Sequence, residues 1–156
     1  MSYTGTQAQA GFGSSLWVYT STGVPTSPSG TGWVNLGEAT GATQSGTINK
    51  TDDATNFNST AEEFVATILA PGSYKFSMNR VPADAGQAQL LTNFANKSLN
   101  YYALVLPKSP TQTTLGDAFV FRALVEELPK AVEPEKIIKY SVTLKISGAE
   151  TFYAGS

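Results

Sequence analysis

The segment that most limits the fold is the last long apolar run. Between Lys136 and Ser147 (KIIKYSVTLKIS), Ile138, Tyr140, Val142, Leu144 and Ile146 alternate with Lys139, Ser141, Thr143 and Lys145. Neighbouring side chains on a strand point to opposite faces, so this period of two predicts a strand with one face in a core and one in water. Ser14–Thr20 (SSLWVYT) is rich in aromatic and β-branched residues and reads as another strand, with a short one over Val34–Ala39. Glu63–Leu69 and Ser73–Asn79 flank Ala70-Pro71-Gly72 and read as a hairpin with one apolar face. Leu99–Leu106 and Asp117–Leu128 are apolar on both faces, which predicts strands covered on both sides.

One helix interrupts the strands. Asp84 and Gln87 have capping-box-like spacing after Pro82, and Ala88, Leu91, Phe94 and Ala95 recur at helical intervals. A helix of about a dozen residues is not stable alone in water, so its apolar stripe should dock on the sheet or on a neighbouring subunit. Residues 40–60 (TGATQSGTINKTDDATNFNS) hold almost no aliphatic side chains and read as a long loop or flexible hairpin that makes contacts. Residues 1–13 read as an arm ordered by a partner, 14–148 as one β domain and 149–156 as a C-terminal tail. No fixed-period repeat is present, which sets aside solenoids and propellers.

Composition excludes several function classes. At 156 residues with 41% hydrophobic content, one core is the expectation. Only 14% of residues are charged, against about 25% in ordinary soluble domains, so copies repel each other little and close packing is permitted. The net charge of −2 and pI near 5.0 leave no basic footprint for gripping nucleic acid. The chain has no Cys and no His, which removes disulfides, thiolates and the commonest general base and metal ligand. An enzyme is therefore not expected, nor any cofactor. The start, MSYTGTQAQAGFGSS, lacks the features of a signal peptide, and no apolar run reaches membrane-spanning length, so synthesis in the cytosol and no membrane partner are expected.

No cluster of residues compensates for that poverty. Glu62-Glu63 and Glu126-Glu127 are adjacent pairs whose members face opposite sides of a strand, so neither works as an acid–base couple. Asp52-Asp53 with Asn56 and Asn58 misses the calcium-loop spacing and reads as turn chemistry. Gly11-Phe12-Gly13 precedes a strand and is a joint, not a phosphate loop, and the two glycosylation sequons at Asn58 and Asn96 read as chance matches. Trp17, Trp33, Phe119 and Phe121 lack the basic groove that base stacking needs, and read as core.

In this arrangement the chain resembles the major tail tube proteins of siphophages, the lambda-like family, matching the tube domain alone. Three stretches carry the resemblance in order: Gly13–Gly23 (GSSLWVYTSTG), Ala83–Pro107 (ADAGQAQLLTNFANKSLNYYALVLP) with the family's Gly-Gln helix and following strand, and Phe119–Gly148 as its final hairpin. The departure is at the C-terminus, where the lambda protein continues into an immunoglobulin-like domain. The resemblance implies a mainly β fold, a β-sandwich or barrel with one flanking α-helix. It also implies stacked hexameric rings that form a virion tail tube, assembled in the host cytoplasm. In the lumen would lie a tape-measure protein and later double-stranded DNA, and at the ends a tail terminator and distal tail proteins.

Three groups of site residues follow from joining that resemblance to the pattern. Gln44, Asn49, Lys50, Asp52, Asp53, Asn56 and Phe57 are ring-stacking candidates. Asp84, Gln87, Gln89, Leu90, Leu91 and Phe94 are candidates for a subunit-interface helix. Glu126, Glu127, Ser141, Thr143, Ser77 and Asn79 are lumenal candidates; Lys75, Lys139 and Lys145 share that polar face, although a DNA conduit should avoid attracting phosphates. The alternatives are the tube protein of a type VI secretion system and a monomeric β-barrel that binds a small ligand.

Overall fold

The computed structural model describes residues 11, 13–28 and 30–156, so most of the arm expected over 1–13 lies outside the described residues. The elements in chain order are β1 (Ser15–Tyr19), β2 (Trp33–Asn35), β3 (Ala39–Ser45), β4 (Ile48–Asp53), β5 (Phe64–Ala70), β6 (Ser73–Asn79), α1 (Ala85–Asn96), β7 (Leu99–Val105), β8 (Ala118–Glu127), β9 (Lys130–Ala131), β10 (Lys139–Ile146) and β11 (Thr151–Tyr153). An antiparallel sheet runs in the order β2-β1-β7-β8-β10-β6-β3, with β11 added on β8 and β9 on β10. The fold is mainly β with one helix, as the sequence predicts.

One face of this sheet curls around a single core. Leu16 and Val18 of β1, Tyr74, Phe76 and Met78 of β6, Tyr102 of β7, Phe121 and Val125 of β8, and Tyr140, Val142, Leu144 and Ile146 of β10 pack together. Strands from both ends of the sheet thus share one interior, and Leu36–Glu38 carry the chain across the seam. The Leu36 amide donates to Leu16 O on one side, and Glu38 O accepts from the Asn79 amide on the other. Alternation along β10 is as predicted, with Tyr140, Val142, Leu144 and Ile146 inward.

The second apolar face of β7 and β8 is covered by rings on neighbouring strands. Tyr19 and Trp33 pack at 5.1 Å over Ala103 and Val120, with Trp17, Tyr101 and Tyr153 at their margin. Tyr153 belongs to residues 149–156, which are stitched to the sheet and do not hang as a tail. β11 pairs with Ala118–Val120, Ser156 O accepts from the Thr114 amide at 2.7 Å, and the Tyr74 hydroxyl donates to Glu150 at 2.5 Å. Burial and that carboxylate push the Tyr74 hydroxyl well above the ordinary tyrosine range.

α1 docks a face that its apolar periodicity does not predict. Asp84 caps it by accepting from the Gln87 amide at 2.9 Å, and Lys97 ends it in the left-handed region with φ 54. The buried positions are Gly86, Gln87, Leu90 and Asn93, while Leu91 and Phe94 stay 37% and 42% exposed. Two features select this face. A Cβ at Gly86 would sit 2.2 Å from Asn35 O, so only glycine lets the helix approach so closely. Gln87 is the second: its Oε1 accepts from the Val81 amide, and its Nε2 donates to Gly37 O and Asn79 O at 3.1 and 2.8 Å. Asn93 donates to the Tyr102 hydroxyl at 3.0 Å, so both buried amides are satisfied and their burial is tolerated.

Candidate functional site: assembly surfaces

Three surfaces lie outside the core packing, and the largest is an arm. Residues 39–79 form one antiparallel ribbon bent in the middle. Ser45 pairs with Ser73, and Ile48 pairs with Ala70 in the same register, with Gly46 facing Gly72 at the bend. Gly72 has φ +80, and a Cβ there would meet Ser45 O at 2.0 Å, so the bend requires glycine. β3 and β6 below the bend belong to the main sheet; β4 and β5 above it pair only with each other. Of the long loop or flexible hairpin expected over residues 40–60, the structure shows the hairpin: they are mostly strand, one side of this ribbon. Ala70-Pro71-Gly72 is likewise a bend within the ribbon, because β5 pairs with β4 and β6 with β3 and β10.

β5 (FVATILA) is apolar, yet Phe64, Val65 and Ile68 are 61%, 55% and 67% exposed on both faces of the two-stranded arm, and Ile48, opposite Ala70 on β4, is also exposed. A two-stranded ribbon with this much apolar surface in water is marginal by itself, and its unpaired edges are templates for another chain. Asn49, Lys50, Asp52 and Asp53 lie on β4, and Asn56 and Phe57 at the tip. Gln44 lies outside the arm, on β3, where its side-chain amide donates to Pro71 O at the bend.

At the tip the Asp and Asn residues perform turn chemistry. Asp53 accepts from the Thr55 amide and Asn56 Oδ1 from the Asn58 amide, both at 2.9 Å. The hydrogen bonds from Thr55 hold the Asp53 carboxyl below the usual range. Among the described residues, no group of three or more acidic side chains is placed to hold a metal ion.

The second surface is the polar face of β3, β6, β10 and the end of β8. Thr43 lies opposite Lys75, Lys75 opposite Thr143, and Thr143 opposite Glu127, with Ser77 opposite Ser141 in the next row. Four of the six lumenal candidates, Ser77, Ser141, Thr143 and Glu127, thus share one shallow depression. Asn79 and Glu126 do not line it: Asn79 Nδ2 is turned to Glu38 at 3.1 Å, and Glu126 is the extra residue where the β8–β10 register shifts between Val125 and Glu127.

On the helix, the structure removes Gln87 and Leu90 from the interface candidates, since they are 3% and 0% exposed inside their own subunit. Asp84 is spent as the cap, and Gln89 donates to Asn93 at 2.9 Å. What remains outside is an apolar strip of Leu91, Phe94 and Leu99. No sequence signal separated the two helix faces, because the docked one is held by amides and a glycine.

Comparison with solved structures places this architecture. The tail of an empty gene transfer agent particle, refined with C6 symmetry, superposes with a TM-score of 0.68 at 15% identity, over 94% of this chain and 100% of that one. The SPP1 tail tube gives 0.68 at 14% identity, over 96% and 80% of the two chains. The fold is that of a tail tube subunit. Tube-bearing contractile particles share it: the sheath–tube complex of an extracellular contractile injection system gives 0.65 at 9% identity, over 95% and 93%. No protein-family model matches the sequence, and no curated protein matches it. Among the described residues, no helix is long and apolar enough to cross a membrane.

Proposed function

We propose that this chain is a structural virion protein that polymerises into stacked hexameric rings, forming a tail tube through which double-stranded DNA passes. The observation that carries this reading is the arm: Phe64, Val65 and Ile68 stand 55–67% exposed, left uncovered by the described residues, on a fold shared with tail tubes along nearly its whole length. A neighbouring copy supplies the missing cover. The open edge of β3 and the strip of Leu91, Phe94 and Leu99 make contacts within a ring, and the arm spans to the next ring.

The polar face lines the channel, with Ser77, Ser141, Thr143 and Glu127 toward the lumen. Hydroxyls and a carboxylate hold phosphates only weakly; Lys75 lies in the row that ends on Glu127, while Lys139 and Lys145 stand at the two ends of the β6–β10 pairing, so the middle of the face lets DNA slide. A tape-measure protein fills the lumen first, and terminator and distal tail proteins close the ends. Assembly takes place in the host cytoplasm, and no step is catalytic. Expression of the chain alone, followed by negative-stain microscopy at high concentration, tests this. Sixfold rings or hollow tubes are expected; a uniform monomer in every condition overturns it and favours a monomeric barrel.

A second reading, the tube of a contractile or type VI-like injection system, is favoured by the similarity to the contractile particles. At 9% to 15% identity both groups share the fold with this chain, and the contractile reading is kept second because the sequence resemblance is to the siphophage tubes. A sheath-protein gene beside this one would reverse the order.

A further inference from the structure

At the end of the arm, Phe57 is fully exposed, at 109%. It does not sit on a slack loop. Ser59 Oγ accepts from the Asn56 amide at 3.1 Å and donates to Glu63 at 2.9 Å, while Thr55 Oγ1 accepts from the Glu63 amide at 3.0 Å. With the Asp53 and Asn56 turns these bonds fix the loop that holds the ring out in water. A pre-organised aromatic side chain with no cover has the form of an interface anchor, since such rings supply much of the binding energy when they enter a pocket. Around it the arm is acidic: Asp52, Asp53, Glu62 and Glu63 stand against Lys50 alone.

A matching cleft lies at the opposite end of the strands. The arm leaves the sheet where Ser73 pairs with Lys145, and the cleft lies past the other end of the same pairing, where Asn79 meets Lys139. Its walls are Ala131, Glu133, Lys136, Ile137 and Lys139, around about 320 Å³. Ala131 and Ile137 give an apolar floor, and Ile137 is 63% exposed in the single subunit. Lys136 holds Glu133 at 2.7 Å in an exposed pair, which is weak enough to exchange for another carboxylate. Of the other large clefts, the one at the Leu16–Ala42 seam holds Leu16, Leu36 and Leu104 but has Glu38 as its one charged residue and no cation to meet the arm's carboxylates. The one on the polar face is lined mostly by glycine and small polar residues.

We propose that the cleft at Ala131–Lys139 receives Phe57 from the arm of a second copy of this chain, with the arm's carboxylates set against Lys136 and Lys139. The assignment rests on the stacked-tube reading and names its joint. The base of the arm and the cleft sit at opposite ends of the β6–β10 pairing and use different surfaces, so the contact is head-to-tail and repeats along an axis.

The test uses assembled wild-type-length protein in which Phe57 is replaced by p-benzoylphenylalanine, mixed with isotope-labelled copies to separate intermolecular from intramolecular products. After irradiation, the expected cross-linked peptide contains residues 130–139 of another copy. Cross-links to any other segment, or within one copy, overturn the proposal. Ile137→Asp gives an independent reading: the concentration needed for assembly should rise about tenfold to a hundredfold, the equivalent of burying one large apolar side chain. Its circular dichroism should be unchanged. Wild-type tubes that Ile137→Asp matches at the same concentration also overturn it, whereas failure of the wild type to form any tube sinks the tube reading instead.

Discussion

Replacing Gln87 by Met removes the amide that ties α1 to the sheet while nearly keeping its volume. Three backbone groups lose their partner: the Val81 amide, Gly37 O and Asn79 O. All three belong to half-buried residues, so each orphaned group costs toward the low end of the range, about 1 kcal/mol, or about 3 kcal/mol together. Methionine's flexible thioether fills the space and adds no cavity term. In urea, with a slope of roughly 2 kcal/mol per molar for a chain of this size, the midpoint should fall by about 1.5 M. The assay is urea unfolding followed by tryptophan fluorescence, at protein concentrations low enough to keep the chain monomeric. A shift under about 0.3 M with an unchanged slope would show that these hydrogen bonds do not hold the helix in place. Gln87→Glu keeps the shape but turns a buried carboxylate toward Gly37 O and Asn79 O, so its midpoint should fall further than that of Gln87→Met at neutral pH.

Other perturbations reach different parts of the account. Gly72→Ala puts a methyl 2.0 Å from Ser45 O at φ +80, so thermal melting should drop by roughly 4 °C or more and tubes should not form. Leu91→Asp and Phe94→Asp change exposed positions, so monomer stability should stay within about 0.5 kcal/mol while ring formation is lost; unchanged rings by microscopy would remove the helix strip from the interface. Stability should hold from neutral pH to about pH 10 and then fall. Burial raises the hydroxyl of Tyr102 from 10.0 to about 12, and that of Tyr74 further, so the folded chain keeps protons that the unfolded chain releases in this window. Urea midpoints measured across that range would show the fall, and a flat profile would contradict it.

The sequence made the body of the fold legible and the arm much less so. β10 alternates because one face is core, and β7 and β8 are apolar on both faces because Tyr19, Trp33 and Tyr153 cover the outer side. The cap at Asp84 was readable from its spacing to Gln87. The docked face of α1 was not, because backbone contact at Gly86 and the amides of Gln87 and Asn93 decided it, and an apolar-periodicity argument is blind to both. β4 (INKTDD) has almost no apolar residue, which leaves loop and flexible hairpin equally open; it is a strand because the register of β3 and β6 continues past Gly46 and Gly72. β11 was missed because three residues pairing against Ala118–Val120 leave no periodic trace.

The central claim is that the arm is an assembly element and not part of the subunit's core. Sedimentation velocity of the wild type beside a variant that lacks residues 47–71, with Gly46 joined to Gly72, tests it most directly. Main-sheet pairing ends at Ser45 and Ser73, so the shortened chain should sediment as a folded monomer, with near-native circular dichroism, at concentrations where the wild type should form rings and tubes. A shortened chain that still polymerises like the wild type, or one that unfolds, would contradict the account.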